Sequence, residues 1–132
     1  DRKFKAKNLI FSEEVNELVY SHLFEEANKF KKIGILGVSF KPSSPVTIGS
    51  PSARLIRELE NKNKEIYIFD PIEETYENLN CDVIKSKTPQ ECIEQSDVVL
   101  LMHPDKAYSS LDYTGKKVLD VWGLINTGEK ND

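Results

Sequence analysis

Cysteine, histidine, arginine and long apolar runs are all scarce in this chain of 132 residues. The two cysteines, Cys81 and Cys92, form no C-x-x-C pair, and the two histidines, His22 and His103, stand far from each other in the chain. Neither a disulfide framework nor a zinc site can be built from such a set, and both cysteines are expected as buried thiols. No apolar run approaches the ~18 residues of a membrane span, and the apolar stretch within DRKFKAKNLIF is too short for a signal peptide. A soluble, cytoplasmic protein is the expectation. A basic excess is also missing: 18 Lys and Arg stand against 22 Asp and Glu, a formal net charge of −4. That balance lacks the electrostatic footprint of a nucleic-acid or anionic-membrane binder. Arginine is rare beside lysine, three against fifteen, a skew that reads as the codon bias of an AT-rich genome and receives no functional weight at this point.

What the chain has is a regular alternation. From Ser12, the residues Val15, Leu18, Val19, Leu23, Ala27 and Phe30 recur at helical spacing. Ser12 can cap that helix, and Glu13 and Glu14 lie where its dipole favours acids. Phe11, Tyr20 and Phe24 make it apolar on a second side. Lys32–Val38 then reads as a short buried strand, and Ser50-Pro51 as the cap and first residue of a helix that buries Leu55, Ile56 and Leu59 and ends near Lys62-Asn63. Glu65–Phe69 is the next strand, and Asp70-Pro71 opens a helix running to Leu79. Asp82–Ile84 is a weak strand, and Thr88-Pro89-Gln90-Glu91 is a capping box. Asp97–Met102 is the most apolar strand, Pro104–Leu111 a short helix and Lys117–Val121 the last strand.

Strands and helices alternating at this spacing predict an α/β fold, a Rossmann-like three-layer sandwich with a five-stranded parallel sheet. Ligands bind such sheets at the carboxyl ends of the strands. A dinucleotide fingerprint, G-x-G-x-x-G, is absent there: Gly34 and Gly37 are three apart, Phe40 follows at the next such interval, and the helix waits until Pro51. In its place stands a long loop opening Phe40-Lys41-Pro42, with a cation at the sheet mouth and a ring able to pack on a base or sugar. The Ser50 hydroxyl and the amides after it lie at a helix N-terminus that favours anions. The same residues also read as a solvated turn with a helix cap. Asp70 stands where dinucleotide folds place a ribose-binding acid, although Asp-Pro also simply caps a helix, which is the favoured reading. His103 follows the most buried strand, either as a turn residue or as a ligand contact.

The string FKPSSPVTIGSP, residues 40–51, resembles the FKPxTDDxRxSP signature that opens the C-terminal, UDP-binding domain of the UDP-glucose/GDP-mannose dehydrogenase family. ILGVSFKP, YIFDP, SDVVLLM and VLDVWG resemble the family's first, second, fourth and last strands in order and spacing. The helix up to Phe30 resembles the end of the long central helix that joins the two halves of these enzymes and forms their dimer interface. The likeness covers roughly residues 12–124. It implies that Phe40 and Lys41 contact a UDP-sugar and that Ser50 starts the helix beside it. Asp120 and Trp122 stand where the family often has Asp-x-Arg, and Val46 and Ile48 where it has an acid and an arginine. An aliphatic side chain cannot imitate that guanidinium fork, whereas tryptophan can stack on a base.

These dehydrogenases oxidise an alcohol twice, with NAD on an N-terminal Rossmann domain and a cysteine thiolate holding the intermediate. Cys81 and Cys92 lack the glycine-rich surroundings of that nucleophile. The resemblance therefore implies a C-terminal piece, inactive alone, with no catalytic residue and no NAD or metal site of its own. Its expected partners are a UDP-sugar, the NAD-binding domain and a second copy in a homodimer. The expected division is a linker and helix over 1–30, the UDP-sugar-binding domain over 31–125 and a flexible tail over 126–132. The competing reading is a diverged interaction or regulatory module that no longer binds nucleotide. A phosphoryl receiver fits poorly, because Ser39 and Lys85 occupy positions where it needs acids.

Overall fold

The computed structural model describes residues 13–39, 47, 49–79 and 81–121. In chain order these form α1 (Glu13–Ala27), β1 (Lys32–Leu36), α2 (Pro51–Glu60), β2 (Glu65–Phe69), α3 (Glu73–Leu79), β3 (Ile84–Lys85), α4 (Pro89–Gln95), β4 (Val98–Leu101), a 3-10 turn (Lys106–Ser110) and β5 (Lys117–Asp120). The strands pair in parallel in the order β3-β2-β1-β4-β5. The five-stranded parallel α/β architecture expected from the alternating segments is thus the observed one. Ser12, residues 40–46, Ile48, Trp122 and the expected tail lie outside the described residues. Among the described residues no helix is long and apolar enough to cross a membrane.

Period-two alternation in the strands divides the core into two layers. Ile33 and Ile35 of β1 and Val98 and Leu100 of β4 join Leu23 of α1 and Leu55, Ile56 and Leu59 of α2 in one cluster. Leu36, Val99 and Leu101 join Cys92 and Ile93 of α4 and Tyr108 of the 3-10 turn in the other. The central strands β1 and β4 are therefore apolar on both faces, which is why they read as continuous hydrophobic runs.

Helix α2 begins as expected. Ser50 is its N-cap, with its hydroxyl accepting from the Ala53 amide at 3.1 Å, and Pro51 opens the first turn. In α4 the Thr88 hydroxyl accepts from the Glu91 amide at 3.1 Å, while the Glu91 carboxylate accepts from Lys87, one residue before the cap. The orphan carbonyls after α1 are met from another element: Lys64 Nζ donates to Asn28 and Phe30 at 2.7 and 2.8 Å.

Several boundaries differ from the sequence reading. Strand β1 stops at Leu36 because Gly37 turns the chain with φ +96°. Strand β3 shrinks to two exposed residues, since it is a sheet edge paired only with β2. Among the described side chains of α1 the buried stripe is Val19, Tyr20, Leu23 and Ala27, Leu18 faces solvent at 57% exposure, and the Val15 side chain lies outside them.

Gly34 owes its place to packing. A Cβ there would lie 2.5 Å from Ser96 Oγ and 3.2 Å from the Cys92 carbonyl oxygen, where the end of α4 crosses β1. Ser96 cannot simply turn away, because its hydroxyl is bonded to the Cys92 and Ile93 carbonyls that end α4. Gly34→Ala is expected to lower the unfolding free energy by about 1–3 kcal/mol through overpacking. Urea unfolding followed by circular dichroism measures it, and an unchanged midpoint would show that α4 is free to shift.

Candidate functional site

At the carboxyl edge of the sheet the chain leaves β1 through Gly37, Val38 and Ser39. Gly37 keeps its amide on the Phe69 carbonyl at 2.9 Å, and three other elements hold the segment. From β2, Asp70 Oδ2 accepts the Val38 and Ser39 amides at 2.9 and 3.1 Å. From α2, the Ser50 hydroxyl donates to the Val38 carbonyl at 2.5 Å and the Ser52 hydroxyl to the Gly37 carbonyl at 2.7 Å. From the segment after β4, His103 Nε2 lies 3.0 Å from the Ser39 carbonyl oxygen, so this nitrogen carries the proton. The His103 ring rests against the α-carbon of Gly37, where a Cβ would collide with it.

Asp70 is the centre of this arrangement. Only 2% of its surface is exposed, and its second oxygen accepts from the Ile72 amide and the Thr75 hydroxyl at 3.0 and 3.2 Å. Four donors match the acceptor capacity of one carboxylate, so no oxygen is left for a ribose hydroxyl. Asp70 does not cap α3 as expected from the sequence, because it stands ahead of the helix and takes the Ile72 amide and the Thr75 hydroxyl instead, and it also ties β2 to the turn after β1. The amides of Val38 and Ser39 are engaged by protein, which removes these two from any phosphate cradle. His103 is buried at 4% exposure and braces the same turn.

Beside the turn lies a cavity of about 480 Å³ between α1, the start of α2 and the ends of β1, β4 and β5. Its walls include Tyr20, Ser39, Ser50, Arg54, Met102 and Val121. The chain passes from β1 to β2 on one side and meets β4 on the other, so this cavity sits at the topological switch point where such sheets bind ligands. Of the residues singled out from the sequence, Ser50 lines the cavity, with its hydroxyl proton given to Val38. Asp120 ends β5, in register with Leu101 of β4. Phe40, Lys41 and Trp122 fall outside the described residues, although Phe40 and Lys41 follow Ser39 directly in the chain.

Sequence reasoning passed over Arg54 and read Tyr20 only as an apolar residue of the first helix. The Arg54 guanidinium lies over the Tyr20 ring, 3.6 Å from its centroid, and donates to Glu17 at 2.9 Å. Tyr20 donates to Glu58 at 2.6 Å, and burial and that carboxylate raise the phenol pKa. The contact joins residues 34 positions apart, and nothing in the helical periodicity of either segment announces it.

Both thiols are held toward the neutral form. Burial pushes Cys92 up to about 12, and desolvation also raises the half-buried Cys81. Among the described residues no group of His, Cys, Asp and Glu could hold a metal ion.

A parallel sheet with its cleft at the switch point defines a Rossmann-like ligand-binding domain. Residues 34–127 match the UDP binding domain of the UDP-glucose/GDP-mannose dehydrogenase family, and the chain belongs to that family as this domain. A GDP-mannose 6-dehydrogenase of Pseudomonas putida is 29% identical over 128 residues, covering 84% of this chain and 29% of that protein. The Pseudomonas aeruginosa GDP-mannose 6-dehydrogenase is 31% identical over 110 residues, covering 72% of this chain and 25% of that protein. Among solved structures, a UDP-glucose dehydrogenase from Pyrobaculum islandicum superposes with a TM-score of 0.75 at 25% identity, over 84% of this chain and 28% of that one. The chain thus spans less than a third of the length of these relatives, all of them sugar-nucleotide oxidoreductases.

Two outcomes follow from the geometry. Asp70→Ala strands two buried amides, at about 1–3 kcal/mol each, so a stability loss of about 3 kcal/mol is expected, with faster hydrogen exchange at Val38 and Ser39. A loss below about 1 kcal/mol would mean that water replaces the carboxylate. For the thiols, the raised Cys92 value means that the stability its burial contributes is complete below the ordinary thiol range and fades as pH rises toward about 12. At pH 8 a thiol reagent such as dithionitrobenzoate is expected to modify Cys81 slowly and Cys92 only after unfolding, and rapid native labelling of both would contradict the burial.

Proposed function

We propose that this chain is the nucleotide-sugar-holding part of an NAD-dependent dehydrogenase that oxidises a UDP-hexose to a UDP-hexuronate. The single observation that carries this reading is the cavity at the switch point of a domain matching the family's UDP binding domain. Ser39 and Ser50 line that cavity at the two ends of the loop that contains Phe40 and Lys41. In this proposal the Lys41 ammonium faces the diphosphate or sugar, where a charged donor gives a short, strong hydrogen bond. The Phe40 ring packs on the base or sugar, and the Trp122 indole is suited to stack on a base. Ser50 and the first amides of α2 favour the negative charge, and Asp120 accepts from a ligand hydroxyl.

The chemistry lies elsewhere in the protein. NAD, held by a separate preceding domain, accepts the hydrides. A thiolate outside this chain holds the intermediate, since Cys92 is buried and Cys81 is raised by desolvation. This chain orients the substrate and by itself oxidises nothing. The N-terminal helix leads toward the preceding domain and contributes to a homodimer.

Calorimetry on the 132-residue chain tests the binding. Heat is expected with UDP and UDP-glucose at millimolar concentration, and Lys41→Ala is expected to weaken it about tenfold, the loss of one charge-assisted contact. GDP and GDP-mannose form the comparison arm. Preference for them would move the substrate to a guanine nucleotide-sugar, and silence with every nucleotide would favour an interaction module without a ligand.

A further inference from the structure

The cavity wall carries a guanidinium for which the substrate reading has no role. The chain holds only three arginines against fifteen lysines. Two of the three, Arg54 and Arg57, lie one turn apart on α2 and line this one cavity. Arg57 interacts with Cys81. Arg54 is held differently, with its position controlled from three sides.

The Tyr20 ring beneath Arg54 orients the plane of the guanidinium, a role that a lysine ammonium could not use as well. Tyr20 is itself fixed by its 2.6 Å bond to Glu58, and Arg54 Nε lies 3.8 Å from the other oxygen of that carboxylate. The remaining partner is Glu17, which also lines the cavity and accepts from Nη1 at 2.9 Å. Their side chains are 46% and 63% exposed, and an ion pair so open to water contributes little. The guanidinium is therefore well oriented but lightly paired. It stands one turn from the N-terminus of a ten-residue helix whose dipole favours anions.

We propose that Arg54 is a diphosphate-contacting residue of this cavity and that Glu17 is its internal competitor. The ligand's phosphate oxygens displace the Glu17 carboxylate and take the parallel N–H donors of the fork, while Tyr20 and Glu58 hold the plane in place. In the empty protein Glu17 keeps the cation occupied, so a phosphate must displace it to gain the contact, whereas a ligand without phosphate is indifferent to the pair. The inference deepens the nucleotide-sugar reading and rests on it for the identity of the ligand.

Calorimetric titrations at low ionic strength with UDP, uridine and inorganic pyrophosphate test it on wild type, Arg54→Gln, Glu17→Gln and the double variant. Both side chains are about half exposed, so every variant is expected to keep the wild-type urea midpoint. Arg54→Gln should weaken UDP about tenfold and leave uridine unchanged, as loss of one bidentate contact requires. Glu17→Gln should tighten UDP by about two- to fivefold, the size of a surface ion pair, and the double variant should bind no better than Arg54→Gln. UDP affinities within about twofold of wild type in both single variants would overturn the proposal. If the chain binds pyrophosphate through Arg54 but no nucleotide, the substrate reading fails while the arginine site stands. Silence toward UDP and pyrophosphate alike would overturn both.

Discussion

The carboxylate of Asp70 is the constraint on which the carboxyl edge of this domain depends. It is buried, accepts four hydrogen bonds, and gathers the end of β1, the end of β2 and the entry to α3 at one point. A buried charge is tolerable only when its lone pairs are filled, and here the turn after β1 supplies two of the four donors. Once that turn is placed, Ser50 and Ser52 bond its carbonyls and locate the start of α2, and His103 closes it from the β4 side. The shape of the cavity is thus set by contacts among protein groups before any ligand arrives.

This wiring separates the domain from a dinucleotide-binding relative of the same topology. In a fingerprint loop the amides after β1 face a pyrophosphate. Here the amides of Val38 and Ser39 face Asp70, which leaves neither of them open to a pyrophosphate.

Much of the fold was legible in the residues themselves. The Ile33–Leu36 and Val98–Leu101 runs announced two central strands because strands covered on both faces must be apolar on both. Ser50-Pro51 and Thr88-Pro89 announced two helix starts because capping is local chemistry. The weak places were those without a local cause. Strand β3 shortened because an edge has one neighbour, and Leu18 turned to solvent although it fits the same helical spacing as Val19 and Leu23. Gly34 and Gly37 were read for the motif they failed to make, when one admits the end of α4 and the other the ring of His103.

The sequence alone determined the α/β class, the order of the elements and the family to which the chain belongs. All of these rest on period, capping and short motifs, which act over a few residues. Only the tertiary structure decided that Asp70 is a saturated anchor rather than a ribose ligand, that His103 braces a turn, and that two of the three arginines line one cavity. Each of those assignments rests on contacts between distant residues, such as Asp70 with Ser39, 31 positions apart, and Gly37 with His103, 66 apart. Side chains so separated share no local signal, and only the closing of the sheet brings their donors and acceptors within reach.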